Sequence, residues 1–376
     1  MFTIKAKYNS ANVMLPDEGH IDDTTKTQIY GFLNHPAFGN SYIAIMPDCH
    51  AGAGSCIGFT MKMNDYIIPN IVGVDIGCGV LSANVGKTKI DLQKFDDFIR
   101  GNIPSGFNVN SKSQIDNTPF KDTVLKLSKK IGSDPARNVL ACGSLGGGNH
   151  FIEIGVDENE DKWITVHTGS RKFGLDICNY HQNIAKGLMK KMFIGSAYHK
   201  MEFLTDGYKE DYLKDMEIAQ NFAERSRDLI ITKLVDFIGV KEKSVVESTH
   251  NFIDFQDNIV RKGAIRAYEN ESLIIPFNMQ DGLIIGEGKS NPKWNYSAPH
   301  GAGRVLSRRK AKETLDIKDM KEGMKRAGVF TTSLSKNTLD EAKGAYKNKH
   351  LILNAIKETV DIKHFVKPIY NFKSES

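Results

Sequence analysis

A chain of 376 residues, 40% hydrophobic and 25% charged, has the make-up of a soluble globular protein with ample length for a core, and length alone suggests two or three domains. Its net charge of +5 permits nucleic-acid binding without requiring it, and five cysteines with no CxxC pair argue against a disulfide framework or a zinc ribbon. No apolar leader follows Met1 and no apolar run approaches about 18 residues, so we expect no membrane-spanning helix and a cytoplasmic protein.

No low-complexity segment, internal repeat or Pro/Gly/Ser linker divides the chain. The first third reads as short strands and turns, with strands predicted at 42–46, 58–63, 70–76 and 80–85. Helical spacing of apolar residues follows at 91–100 and 123–130, then strands at 150–156 and 163–166. The middle predicts two helices, 182–193 and a long amphipathic 212–237, whose stripe of Met216, Ala219, Phe222, Ala223, Ile230 and Leu234 reads as core. Strands resume at 245–252, 259–267, 272–277 and 283–285, and further helices are predicted at 304–314 and 351–359. Mixed strands with helices inserted in blocks predict an α+β fold.

The stretch Gly73-Val74-Asp75-Ile76-Gly77-Cys78-Gly79 carries the first chemical signal. A buried strand over 70–74 is predicted to end here in a turn whose glycines let the backbone direct Asp75 and Cys78 toward one point. A carboxylate and a thiolate brought together with no basic residue beside them call for a cation; a capping aspartate beside a buried cysteine is the ordinary alternative. Three histidines shift that balance. His150 follows Gly146-Gly147-Gly148-Asn149, His167 ends a predicted strand before Thr168-Gly169-Ser170-Arg171, and His250 lies in Glu247-Ser248-Thr249-His250-Asn251. Five candidate ligands exceed what one tetrahedral ion needs, so a two-metal centre bridged by Cys78 is the expectation. Ligand softness favours zinc and allows manganese or iron.

His300 stands apart, in Ser297-Ala298-Pro299-His300-Gly301-Ala302-Gly303-Arg304. Placed before a helix predicted from 304, it would share the helix N-terminus with a phosphate, with Arg304 and Arg308 on one face. A histidine in that setting suits phosphoryl or nucleotidyl transfer; a solvated basic helix behind a turn is the alternative. Two tempting motifs fail. Gly288-Lys289-Ser290 would need a glycine at Leu283 to end a P-loop, and Met279-Gln280-Asp281-Gly282 puts methionine where a lysine-type nucleotidyl ligase has its nucleophile.

Taken together, residues 46–52 (Met-Pro-Asp-Cys-His-Ala-Gly), 74–79, 146–153, 167–174, His250-Asn251 and 299–307 resemble the RtcB family of RNA-splicing ligases, over nearly the whole chain. That family uses GTP to join RNA 3′-phosphate or 2′,3′-cyclic phosphate ends to 5′-hydroxyl ends. The resemblance implies one α+β domain over 1–376, built around a central metal-binding cleft. It implies Asp75, Cys78, His150, His167 and His250 as ligands of two manganese ions, and His300 as the nucleophile that becomes guanylylated. Asn149 and Glu153 are then contacts to the guanylate, Tyr346 packs on the guanine, and Lys373 lies near the nucleotide. Asn278 and Gly301, Ala302 and Gly303 line the same pocket, while Arg171, Arg304 and Arg308 face phosphates. Its implied partners are RNA, GTP and an archease-like activator, in tRNA splicing or RNA repair. His50 is expected to brace a metal ligand from behind or to contact RNA; His20, His35, His181, His199, His350 and His364 read as solvated or structural.

The chain departs from the family twice. Phe277-Asn278-Met279-Gln280-Asp281 replaces a Gly-Ser-Met-Gly-type stretch at the nucleotide pocket, and Lys343-Gly344 replaces the proline usual before Ala-Tyr. Two competing classes are defined by what they predict. A metal-dependent phosphoesterase with the same cluster needs no GTP and tolerates His300→Ala, and a non-catalytic RNA-binding protein keeps its binding after Cys78→Ala.

Overall fold

Two antiparallel-rich sheets organise the protein. The computed structural model describes residues 1–116, 118–191 and 200–374. One sheet has six strands in the spatial order Phe2–Lys5, Ser10–Val13, Ile43–His50, Ile57–Lys62, Ile259–Lys262 and Asn251–Asp254. The other has seven, in the order Ser272–Asn278, Gly282–Gly288, Val360–Lys373, Phe151–Val156, Lys162–Thr168, Gly79–Gly86 and Ser244–Thr249. Ala264–Arg266 and Ser297–Pro299 pair as a separate antiparallel ribbon.

The period of two along each strand decides which face does what. From the seven-stranded sheet, Leu81, Ala83, Ile152, Ile154, Ile164 and Val166 pack into one cluster with Phe95, Ile99, Ile230 and Leu234. Those partners come from the helices Leu92–Asn102 and Asp206–Ile238, so the long helix buries its stripe as core, each large side chain contributing about 1.5–3 kcal/mol. The alternate residues fall on the other face. There Phe151 lies opposite both His167 and Lys373, and Glu153 lies opposite both Thr165 and Asn371.

The mixed architecture agrees with the α+β expectation, but several local assignments do not survive. Residues 70–76 are not a strand: Pro69–Val72 forms a short helix, because Pro69 occupies its first turn and Gly73, at φ 95, ends it. The predicted strand 245–252 is two strands, Ser244–Thr249 and Asn251–Asp254, one in each sheet, with His250 at the break. Likewise 259–267 divides at Gly263 into Ile259–Lys262 and Ala264–Arg266. The helix predicted from 304 begins only at Arg308, capped by the Ser307 side chain, so His300 is not at a helix start and Arg304 shares no helical face with Arg308. The helix Lys349–Ala355 stops short of the expected 359.

The helix expected at 182–193 is longer at its start, running from Arg171 to Lys191; residues 192 and 193, like His199, lie outside the described residues. The strand Val360–Lys373 escaped prediction because Pro368 and interspersed charges mask its alternation; a register shift between Pro368 and Tyr370 accommodates the missing N–H. Among the described residues no helix is long and apolar enough to cross a membrane.

Candidate functional site

Sheet register explains how residues far apart in sequence meet. Gly79, which opens its strand, pairs with Thr168 on one side and Thr249 on the other, so Cys78, His167 and His250 emerge at the same end of three adjacent strands. Phe151 pairs with His167, which brings His150 to that end as well. The turn carrying Asp75 and Cys78 is held by Gly77, whose N–H donates to Asn251 O at 2.7 Å. Arg227, fully buried on the long helix, donates to Gly77 O at 2.7 Å and to Thr168 O at 2.9 Å, clamping the turn to the strand end.

The five expected ligands converge. Cys78 Sγ lies 3.5 Å from His150 Nε2 and 3.2 Å from His167 Nε2, which is in turn 3.4 Å from His250 Nε2. His150 Nε2 is 2.9 Å from Asp75 Oδ2. Ligand atoms group as Cys78, His167 and His250, and as Asp75, Cys78 and His150, with Cys78 common to both. Metal fit can be judged from the other ring nitrogens. His150 Nδ1 donates to Leu145 O at 2.9 Å and His167 Nδ1 to Asn149 O at 3.1 Å. Those bonds fix the Nδ1–H tautomers and leave both Nε2 lone pairs aimed at the Cys78 sulfur, with His250 Nε2 beside one and the Asp75 carboxylate beside the other, an arrangement that a cation relieves.

Electrostatics agree. Burial holds His167 and His250 well below the ordinary histidine range, so both are neutral donors at pH 7. Burial tends to raise the Asp75 pKa, but the adjoining His150 and the charge of Arg171 outweigh it and leave it lowered. Asp75 Oδ1 is buried without a hydrogen-bond partner. The Cys78 thiol is pushed well up by burial and by Asp75, a balance that a bound divalent cation reverses. These residues fit a metal centre.

A cleft of about 630 Å³ opens beside this cluster, lined from both sheets. His300 lines it, with its ring centroid 4.9 Å from that of His250, and its Nδ1 meets Asp48 Oδ2 at 2.7 Å. Asp48 is fully buried. With Nδ1–H given to the carboxylate, Nε2 is the nitrogen with a free lone pair. Gly303, at φ 74, allows this approach, because a Cβ there would overlap the Asp48 carbonyl. His50 lies next to His300, ring centroids 6.5 Å apart and nearly parallel, and burial lowers its pKa to about 4.

Farther along the cleft, Tyr346 donates to Glu341 Oε2 at 2.7 Å, and Lys373 Nζ lies 2.9 Å from the same oxygen and 3.2 Å from Asn149 O. The Arg304 guanidinium stacks 5.0 Å over the Tyr346 ring, and Arg308 donates to Asn149 Oδ1 at 3.0 Å. Burial works to raise the Glu341 pKa, but Lys373 and Arg304 hold it down. Glu153 is different: burial pushes its carboxyl up to about 8 against the opposing effects of Asn371, which donates to Glu153 Oε2 at 2.9 Å, and Lys373.

The cleft thus gathers Asp75, Cys78, His167, His250, His300, Asn149, Glu153, Asn278, Gly301 to Arg304, Arg308, Tyr346 and Lys373, with His150 just behind. Asn278 turns its side chain inward on its own loop, accepting from Gln280 N and Asp281 N and donating to Asp281. Arg171 does not line the cleft; its guanidinium donates to Gly106 O at 2.6 Å. His181 is buried, with its Nε2 2.7 Å from Asp215 Oδ2. Sequence reading gave no role to Asp48, Arg227, Glu341 or Asn371. Asp48 was visible only as part of 46–52, and Asn371 as the residue two before Lys373 on a strand that went unread.

The family described as tRNA-splicing ligase RtcB matches residues 28–374. An RNA-splicing ligase RtcB of Escherichia coli K12 is 29% identical over 359 residues, covering 85% of this chain and 87% of that protein. An RNA-splicing ligase of a second Escherichia coli strain is 30% identical over the same shares. A tRNA-splicing ligase RtcB of Methanococcus maripaludis is 28% identical over 395 residues, covering 82% of each chain.

Proposed function

This chain belongs to the RtcB family, and from that premise we propose that it is an RNA ligase that consumes GTP and joins RNA 3′-phosphate or 2′,3′-cyclic phosphate ends to 5′-hydroxyl ends. The observation that carries the reading is His300: its Nδ1 is committed to buried Asp48, and it shares one cleft with the cysteine–histidine cluster and with Glu153, Tyr346 and Lys373.

In this reading His300 Nε2 attacks the α-phosphorus of GTP; a P–N bond forms and the bond to the pyrophosphate oxygen breaks. Asp48 keeps the ring in the tautomer that presents Nε2 and stabilises the positive charge the ring gains on attack. Two divalent cations, manganese by family resemblance, would be held by Asp75, Cys78, His150, His167 and His250, and when bound they offset charge on the phosphoryl oxygens. Tyr346 offers its ring to the guanine, with Arg304 stacked behind it. Glu153 and Lys373 lie at the base edge, where a carboxyl and an ammonium can read hydrogen-bond donors and acceptors. The RNA 3′-phosphate then takes the guanylyl group from His300 as the P–N bond breaks. Attack by the 5′-hydroxyl on that activated phosphate forms the new ester and releases GMP. A 2′,3′-cyclic end must first be opened by water to a 3′-phosphate.

Label transfer tests the reading. The protein is incubated with α-labelled GTP and manganese and then denatured. An acid-labile, base-stable adduct, absent in His300→Ala, is the expected result. An adduct with ATP but not GTP would trace nucleotide choice to the 277–281 wall. No adduct with any nucleotide would favour a metal-dependent phosphoesterase using the same cluster.

A further inference from the structure

Outside the cleft one side chain stands out. Phe107 is 83% exposed, the highest value among the exposed large hydrophobic residues of the described chain. It does not sit on a loose loop. Leu145 N donates to Pro104 O at 2.8 Å, Gly106 N to Gly146 O at 2.8 Å, and Asn108 N to Ser105 O at 3.1 Å, closing a tight turn with Phe107 in it. Beyond the turn, Asn110 is tied by its side chain to Leu140 O and Cys142 O at 3.0 and 2.9 Å. Two arginines hold the turn's outward carbonyls: Arg171 donates to Gly106 O and Arg137 to Phe107 O, each at 2.6 Å.

The turn is also mechanically joined to the metal centre. Leu145, which grips Pro104 through its N–H, accepts His150 Nδ1 on its carbonyl at 2.9 Å. Arg171 feels Asp75 and Cys78 on one side and Arg137 on the other. An exposed aromatic ring on a braced turn, flanked by two arginines and linked through Pro104 and Leu145 to a candidate metal ligand, has the elements of a single-strand platform. Its surroundings argue against a protein partner as the occupant. The neighbours Asn108, Ser111 and Lys112 are exposed and polar, so one ring is offered rather than an apolar patch.

We infer that Phe107 is a stacking platform for an unpaired base of the RNA, near the end to be joined, with Arg137 and Arg171 supplying positive potential to the adjoining backbone. The inference rests on the reading that the cleft acts on RNA ends. It extends the site beyond the nucleotide pocket and gives Arg171 a place outside that pocket.

The test uses full-length protein and a single-stranded RNA ending in a 3′-phosphate, with affinity read by fluorescence anisotropy at fixed salt. Phe107→Ala is expected to weaken binding by about 5- to 100-fold, Phe107→Trp to restore it, and Phe107→Leu to behave like alanine. An RNA carrying an abasic nucleotide near its 3′ end should lose a similar factor with the native protein and little more with Phe107→Ala. Guanylylation of His300 should be unchanged in all three variants. Equal affinity of native protein and Phe107→Ala, or a Phe107→Leu variant as good as Phe107→Trp, would overturn the platform. Should the native protein fail to bind RNA while still taking a guanylate label, the platform falls and the nucleotide chemistry stands. Failure of both assays would remove the functional reading itself.

Discussion

At the scale of single residues, three groups carry distinct loads. The Asp48 carboxylate holds the Nδ1 proton of His300, and Asp48→Asn keeps the shape while weakening that hold. Guanylylation should slow by about 10²- to 10⁴-fold with bound metal unchanged, read by label-transfer time courses beside metal analysis. Cys78 is shared by both ligand groups, whereas His250 belongs to one. Cys78→Ala should therefore strip both cations, while His250→Ala should strip one and leave the other measurable by elemental analysis.

Glu153 bears on pH. Burial raises its carboxyl to about 8 from 4.5, so the folded state binds a proton that the unfolded state has released. The stability it contributes is complete below about 4.5 and is lost as pH rises through about 8. Without nucleotide, Glu153→Gln should flatten the pH dependence of thermal stability across that window and gain about 2–4 kcal/mol over the native protein at pH 9, read by melting at a series of pH values. Unchanged pH dependence would mean that the buried carboxyl finds a partner in solution.

At the scale of elements, the site depends on turns that end strands. Gly77 sits at φ 72, and a Cβ there would lie 2.8 Å from Gln220 Cα on the long helix. Gly77→Ala combines a disfavoured backbone with a clash against rigid backbone, so a loss of about 1–3 kcal/mol is expected, together with lower metal content. Normal melting and full metal loading in that variant would refute this account of the turn. The same turn shows what local pattern can and cannot convey. Its glycines announced that Asp75 and Cys78 converge, because that is a backbone property readable from residue type. The run before it, Asn70-Ile71-Val72, was apolar and β-branched enough to read as a strand. Pro69 and Gly73 set a short helix instead, where intrinsic preference is weak and packing decides. Misplacing the start of the helix at 308 had a larger effect. It suggested a phosphate site at a helix end for His300, whereas the structure holds that histidine by Asp48 and by the close approach that Gly303 permits.

At the scale of the whole molecule, the cleft exists because the chain passes from the seven-stranded sheet to the six-stranded one at His250 and from there to the two-stranded ribbon at Gly263. Such crossings depend on long-range pairing, which no window of sequence reports; only the residue types at strand ends hinted that His150, His167 and His250 belong together. The same holds for Glu341 and Asn371, ordinary residues until Lys373 and Glu153 are brought against them. Charge, by contrast, was legible as a total and is uneven in space. Residues 308–326 hold eight basic side chains against four acidic ones, and Arg308 in that stretch lines the cleft. Arg309, 90% exposed with only a 3.7 Å approach to Glu313, is free to meet a phosphate. RNA affinity should therefore fall by about 100-fold between about 50 and 200 mM salt for about five neutralised phosphates. Arg309→Glu combined with Lys310→Glu should lower affinity at low salt and make the salt slope shallower by roughly 0.7 for each phosphate no longer neutralised, with His300 guanylylation unaffected. A double variant with the native slope would place the strand elsewhere on the protein, and one that also fails to take the guanylate would show these side chains serving the nucleotide rather than the RNA.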